Sequence, residues 1–261
     1  MTEIITSISN PFIKQARLLR QKKYRDETRL FMVEGIKHVG DAVEANWEIE
    51  VLFYCPERLR SNFGQKLVSE LQEKKIHCLR ISEKAFDAMA DKENPQGIAA
   101  IVKQKERSLV EISQAHFSVG LVSPQDPGNV GTVLRTMDAV GANELFLIDG
   151  GADPYHPSAV RASMGALFWI PFFQITFQDF FDWAKNGNIR IVGTSAHAKT
   201  DFRSLVKDTR RIALLLGSEQ KGLSPEQISS CENLISLPMR GKASSLNLAV
   251  AAGILMYSLL D

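Results

Sequence analysis

From residue 119 to the C-terminus the sequence alternates short apolar runs with amphipathic stretches, and this alternation constrains the fold more than any other feature. The apolar runs are residues 119–122, 144–148, 170–175, 189–194, 212–216 and 234–237. Each has the length of a strand and too few residues for a stable helix. Helical patterns occupy 130–140, 158–167, 177–186, 225–230 and 245–260. Strands that are apolar throughout and joined by helices predict a parallel sheet covered on both faces. The N-terminal half alternates as well. Asn10-Pro11 is an N-cap followed by proline at the first helical position. Strands are expected at 30–33, 51–54, 76–81 and 97–102, and helices at 36–45 and 65–74. The polar stretch KQKERS, Lys103 to Ser108, separates the halves as a linker ending near Ser113. The expected organisation is an α/β protein of two domains, 1–107 and 108–261, each within the usual domain size.

Charge separates the halves again. The whole chain is balanced, with 31 Lys+Arg against 30 Asp+Glu, so it carries no polybasic arm or acidic tail. Residues 1–107 hold 19 basic and 16 acidic side chains, net +3, and 108–261 hold 12 and 14, net −2. Within the first half, Lys14 to Arg29 carries seven bases and two acids. Such a run forms either a phosphate-binding face or a solvated helix surface. The three cysteines (Cys55, Cys78, Cys231) form no CxxC and the five histidines show no ligand spacing, so a reducing, cytoplasmic setting without structural zinc is expected. The N-terminus MTEIITSISNPF shows no secretory pattern. The longest apolar run, 246–260, is interrupted by Asn247 and Ser258, and at about 15 residues falls short of the roughly 20 that span a bilayer.

Three loops in the second half break the apolar pattern just after strands, where open α/β sheets bind ligands. The first, Pro124-Gln125-Asp126-Pro127-Gly128-Asn129-Val130-Gly131, opens a helix carrying Arg135. Its helix N-terminus offers free N–H groups to an anion, and the Arg135 fork could grip a phosphate. The spacing is GxxG, not the dinucleotide fingerprint. The second, Gly217-Ser218-Glu219-Gln220-Lys221-Gly222-Leu223, places one carboxylate between two glycines. The third, Leu237-Pro238-Met239-Arg240-Gly241-Lys242-Ala243-Ser244-Ser245-Leu246-Asn247, leads into the final helix, with Ser244 or Ser245 as cap. Asn247 would then sit inside an apolar helix, in either a functional or a structural role. Taken singly, each loop is also explained as an ordinary turn or cap.

In this order and spacing, the three loops resemble the motifs of the SpoU/TrmH family of RNA ribose 2′-O-methyltransferases, in the SPOUT superfamily. DPGNVGTVLRTMDAVGA resembles motif 1, GSEQKGL motif 2 and LPMRGKASSLNLAVAAGI motif 3. Val160-Arg161-Ala162-Ser163-Met164-Gly165-Ala166 is also typical, while Leu248-Ala249 stands where many members have Val-Ser. The resemblance covers 118–261. Residues 1–107 more loosely resemble the family's substrate-binding domain, through Phe31-Met32-Val33-Glu34-Gly35 and Asn94-Pro95-Gln96-Gly97-Ile98-Ala99-Ala100.

The resemblance implies S-adenosylmethionine as cofactor, a trefoil knot in the C-terminal domain, a ribosomal-protein-like α/β/α domain before it, and a homodimer formed by the C-terminal domain. It implies catalytic roles for Asn129, Arg135, Glu219, Ser245 and Asn247. Cofactor contacts fall on Thr194, Gly217, Leu237, Met239 and Leu246. RNA is the expected partner, with no membrane and no metal. Lys14, Arg17, Arg20, Lys22, Lys23 and Arg25 are the expected RNA-binding residues. Members without a separate N-terminal domain mostly act on transfer RNA, so this chain is expected to methylate a ribose of ribosomal RNA, of the large subunit. The alternatives are a transfer-RNA ribose methyltransferase, a base methyltransferase of the wider superfamily, and an inactive RNA-binding homologue.

Overall fold

A computed structural model describes residues 4–91, 95–109, 116–205 and 211–259. Asn94, Ser113 and Leu260, named above, lie outside the described residues. The chain divides into two compact units, one formed by residues 1–106 with 155–168 and the other by 107–154 with 169–261.

In the first unit, four strands form one sheet: β1 (Leu30–Glu34), β2 (Ile49–Tyr54), β3 (His77–Arg80) and β4 (Ile98–Lys103), in the order β1-β4-β2-β3. β4 runs antiparallel to both neighbours and β2 parallel to β3. Both faces are apolar, as the alternation in β1 requires. Leu30 and Met32 join Phe53 and Ile101 in a core with Ile13 and Leu19 around α1 (Pro11–Leu18), and with Phe86 and Met89 of α5 (Glu83–Met89). The opposite face carries α3 (Ile36–Glu44) and α4 (Asn62–Glu73). Between α1 and β1 lies α2 (Lys22–Thr28), a helix whose charge hides it from any apolar periodicity.

Residues 155–168, which the sequence groups with the second half, pack in this first unit. The Trp47 indole N–H donates to the Phe168 carbonyl at 3.0 Å, Phe31 meets the Tyr155 ring at 4.6 Å, and Arg161 pairs with Asp91 at 2.9 Å. The helix expected over 158–167 is shorter, α7 (Pro157–Ala162), because Met164 and Gly165 adopt left-handed backbone and end it.

Among the described residues, the second unit holds seven parallel strands: β5 (Phe117–Val122), β6 (Glu144–Ile148), β7 (Phe172–Ile175), β8 (Arg190–Thr194), β9 (Thr200–Asp201), β10 (Ile212–Leu216) and β11 (Asn233–Ser236). Their order is β7-β6-β5-β10-β8-β11-β9. The six expected strands are present, and two-residue β9 adds an edge too short to read from sequence. The helices are α6 (Pro127–Val140), α8 (Phe177–Asn186), α9 (Pro225–Ser229) and α10 (Leu248–Leu259). Phe146, Phe173, Phe177 and Phe180 fill one face of the sheet, and α10 packs on α6 and β10. α10 begins at Leu248, three residues later than expected, and neither Ser244 nor Ser245 caps it.

Candidate active site

Asn247 caps α10. Its carbonyl accepts the Ala251 N–H at 2.9 Å, and its side-chain Oδ1 accepts the N–H groups of Ala249 and Val250 at 2.9 and 3.3 Å. The amide that is awkward inside an apolar helix is natural at its N-terminus, where backbone donors lack partners. Asn129 lies at the third position of α6, whose own cap is Asp126. Glu219 sits at the tip of a closed loop. Ser218 and Gly222 exchange backbone hydrogen bonds across it at 3.1 and 2.9 Å. Gly217 precedes that loop at a point of backbone crowding, where a Cβ would lie 2.3 Å from the Gly222 carbonyl carbon.

These three residues, from three separate loops, form one hydrogen-bonded chain. Asn129 Nδ2 donates to Glu219 Oε1 at 2.5 Å, and Asn247 Nδ2 donates to Asn129 Oδ1 at 3.0 Å. The second Glu219 oxygen accepts the Gln125 backbone N–H at 3.2 Å. A carboxylate only accepts, so Asn129 must turn its NH2 toward Glu219 and its oxygen toward Asn247. Asn247 must then turn its oxygen to the helix. The network therefore fixes both amide orientations. Asn129 is buried and Glu219 exposed, so the chain anchors a solvent-facing carboxylate from behind.

Arg135 is not part of this chain. It is exposed on α6 and makes no hydrogen bond or ion pair with the described residues. Six residues along a helix means about 9 Å of rise and a different face, so Arg135 does not converge with Asn129 within this unit. Ser245 is also exposed and outside the network. The residues expected to contact cofactor gather better. Thr194 ends β8, Gly217 follows β10 and Leu237 follows β11, at the carboxyl ends of three adjacent strands. Leu237 and Met239 are half-buried and Leu246 is 39% exposed, leaving apolar surface there without any charged residue of that set. This suits the adenine and methionine parts of the expected cofactor. Sequence reasoning missed Gln125, whose contribution is a backbone N–H and leaves no side-chain signal.

The basic run fares differently. Arg25 is 1% exposed, and its guanidinium donates to the Leu19 and Arg20 carbonyls at 2.7 and 2.8 Å. It closes the end of α1 and is removed from the expected RNA-binding set. Arg20 donates to the Met89 carbonyl at 3.2 Å and to that of Ala90. Lys22 pairs with Asp26 at 2.7 Å and Lys23 with Glu27 at 3.8 Å. Lys14 and Arg17 remain exposed without such partners, beside a shallow cavity that Arg20 also lines. Burial pushes the thiols of Cys78 and Cys231 up to about 11, and burial with the Glu57 hydrogen bond does the same for Cys55. None is a ready thiolate nucleophile.

Residues 116–257 match the model of the SpoU rRNA Methylase family. This chain belongs to that family. Residues 10–100 match the MRM3-like substrate binding domain. The chain is 31% identical over 255 residues to the 23S rRNA (guanosine(2553)-2'-O)-methyltransferase RlmP of Bacillus subtilis, covering 98% of each. Its fold is similar to that of an AdoMet-bound rRNA methyltransferase from Sinorhizobium meliloti, with TM-score 0.90 and 35% identity over 99% of this chain and 97% of that one. The SpoU methyltransferase AviRb from Streptomyces viridochromogenes, in complex with AdoMet, gives TM-score 0.86 and 29% identity over 96% and 98%. The family's cofactor is S-adenosylmethionine, and the chain is an RNA ribose 2′-O-methyltransferase. Among the described residues no group of three or more His, Cys, Asp or Glu could hold a metal, and no helix is long and apolar enough to cross a membrane.

Proposed function

We propose that this protein methylates a ribose 2′-hydroxyl of large-subunit ribosomal RNA in the cytoplasm. The observation that carries the reading is the chain from the α10 N-terminus through Asn247 and Asn129 to Glu219, which takes one residue from each of three family motifs. The Bacillus subtilis relative is named as a 23S rRNA methyltransferase, and the N-terminal unit matches a substrate-binding model.

S-adenosylmethionine supplies a methyl group already activated on sulfonium. The residues of this chain have to hold the ribose oxygen in line with it and see its proton away. Thr194, Gly217, Leu237, Met239 and Leu246 bind the cofactor. Glu219, held rigid from behind, accepts a hydrogen bond from the ribose and orients it. Ser245 adds a hydroxyl at the loop lip. Arg135 remains a guanidinium, so it acts electrostatically: it binds the neighbouring phosphate and stabilises the negative charge that develops on the ribose oxygen as its proton passes to water. Lys14 and Arg17 on α1 contribute phosphate contacts.

The active species is a homodimer of knotted C-terminal domains. Val250, Ile254 and Tyr257 form an i, i+4, i+7 stripe on α10 that is 51%, 39% and 58% exposed. An apolar stripe of this kind on a helix marks a docking face. Arg135 lies on α6, the helix packed against α10.

The test is incubation of the protein and labelled S-adenosylmethionine with unmodified large-subunit ribosomal RNA and with transfer RNA. Label in a 2′-O-methylated nucleotide of ribosomal RNA is expected. Label on a base or in transfer RNA instead would overturn the substrate assignment, and no label in any RNA would point to the inactive homologue. Ile254→Glu should convert a sedimenting dimer to monomer; a wild-type protein that is an active monomer would contradict the dimer.

A further inference from the structure

The strand order of the second unit reverses beside β5. The sheet grows outward from β5 through β6 to β7, then crosses to the other side, where β10 is inserted next to β5. Open α/β sheets bind ligands outside the carboxyl ends of strands at such a reversal. A cavity of about 580 Å³ opens there, between the ends of β5 and β6 and the 218–227 segment behind β10. Its size is that of a small-molecule site. It is separate from the cofactor residues, which follow β8, β10 and β11; none of the five lines it. The loop bearing Glu219 is the partition, tied across to Gln125 on the cavity wall.

The lining is built for a polar guest. Gln227 is only 6% exposed. Its Oε1 accepts the Ser224 N–H at 2.9 Å, and its Nε2 has no hydrogen-bond partner among the described residues. The amide faces the cavity it lines, so a ligand there can accept from it. Asp149 offers the complementary group. Its Oδ1 accepts the Phe177 N–H at 2.9 Å, which fixes the carboxylate and leaves Oδ2 to accept. Ser123 and Asp149, the first residues after β5 and β6, both hold left-handed backbone, with φ 43° and 56°. Such strain persists where the surrounding structure enforces it, often at ligand sites. Leu223 and Pro225 give apolar surface. Lys221 lines the cavity and is exposed without an ion pair among the described residues.

We propose that this cavity receives the base of the nucleotide being methylated. A flat ring with donors and acceptors on its edge matches the apolar walls, the Gln227 amide and the Asp149 carboxylate, and the attached phosphate matches Lys221. RNA bases are read in this way when splayed out of their stack. The inference rests on the ribose-methylation reading above and adds the geometry. The base lies on the β5–β6 side of the Glu219 loop and the cofactor on the β8–β11 side. The ribose between them is then presented to Glu219.

Two measurements test it. Gln227→Glu keeps the Oε1 that caps α9 and removes the donor, and Lys221→Ala removes the cation. Each should lower kcat/KM for unmodified large-subunit ribosomal RNA about tenfold, the effect of roughly one lost hydrogen bond, while cofactor affinity stays within twofold. The same RNA transcribed with 4-thiouridine or 6-thioguanosine should crosslink under ultraviolet light to the peptide containing residues 218–227. Kinetics of both variants within twofold of wild type, or crosslinks confined to other peptides of the second unit, would overturn the base pocket. A wild-type protein that methylates no ribosomal RNA would instead overturn the functional reading, and the crosslink would still report whether a base enters the cavity.

Discussion

Two clusters stand out in the sequence, the three motif loops of the second unit and the basic run of the first, and folding treats them in opposite ways. The loops are far apart in the chain, yet Asn129, Glu219 and Asn247 meet in a single hydrogen-bonded line. The basic residues are adjacent in the chain, yet they scatter. Arg25 is buried, Arg20 binds carbonyls, and Lys22 and Lys23 pair with their own helix. Polar groups whose donors and acceptors are complementary can be drawn together, here around the buried Asn129. Like charges cannot, and each finds the nearest acceptor or water.

The largest effects should come from the loop cluster. Arg135→Ala should reduce methyl transfer about a thousandfold, in line with loss of a transition-state charge stabiliser, while leaving cofactor affinity within a few-fold by calorimetry. An equal loss of both would put Arg135 in the cofactor site. Asn129→Asp should be nearly as damaging, because it sets a second carboxylate against Glu219. A turnover within twofold of wild type would show that the chain of amides is not needed.

Next comes the contrast within the basic run. Arg25→Ala should destabilise the protein by about 3 kcal/mol, as expected when a buried, hydrogen-bonded charge is deleted and its carbonyl partners are left, seen as a lower midpoint in urea. Replacing both Lys14 and Arg17 with Ala should leave that midpoint unchanged and flatten the salt dependence of RNA binding by about 1.4–1.8 units of slope, at roughly 0.7–0.9 per lost phosphate contact. The smallest effect is expected from Lys22→Ala with Lys23→Ala, since exposed pairs contribute little. A slope change larger than that of Lys14 and Arg17 would move the RNA face from α1 to α2.

Much of this was legible in the chain itself. Apolar strands separated by helices specify a parallel sheet because only burial on both faces rewards them, and Asn10-Pro11 announces a helix start through a local hydrogen bond. The ordered motifs identified the family and which loops to inspect. What the sequence alone could not decide depends on contacts between distant residues. Asn247 reads as a polar flaw inside an apolar helix until the helix is seen to start after it. Arg25 reads as one of six surface bases until the Leu19 and Arg20 carbonyls claim it. Residues 155–168 belong by order to the second half, but Trp47, Phe31 and Asp91 hold them in the first unit. Local propensity and periodicity are properties of neighbours in sequence. Which polar group satisfies which other, and which charge stays in water, is settled only when the folded chain brings its far parts together.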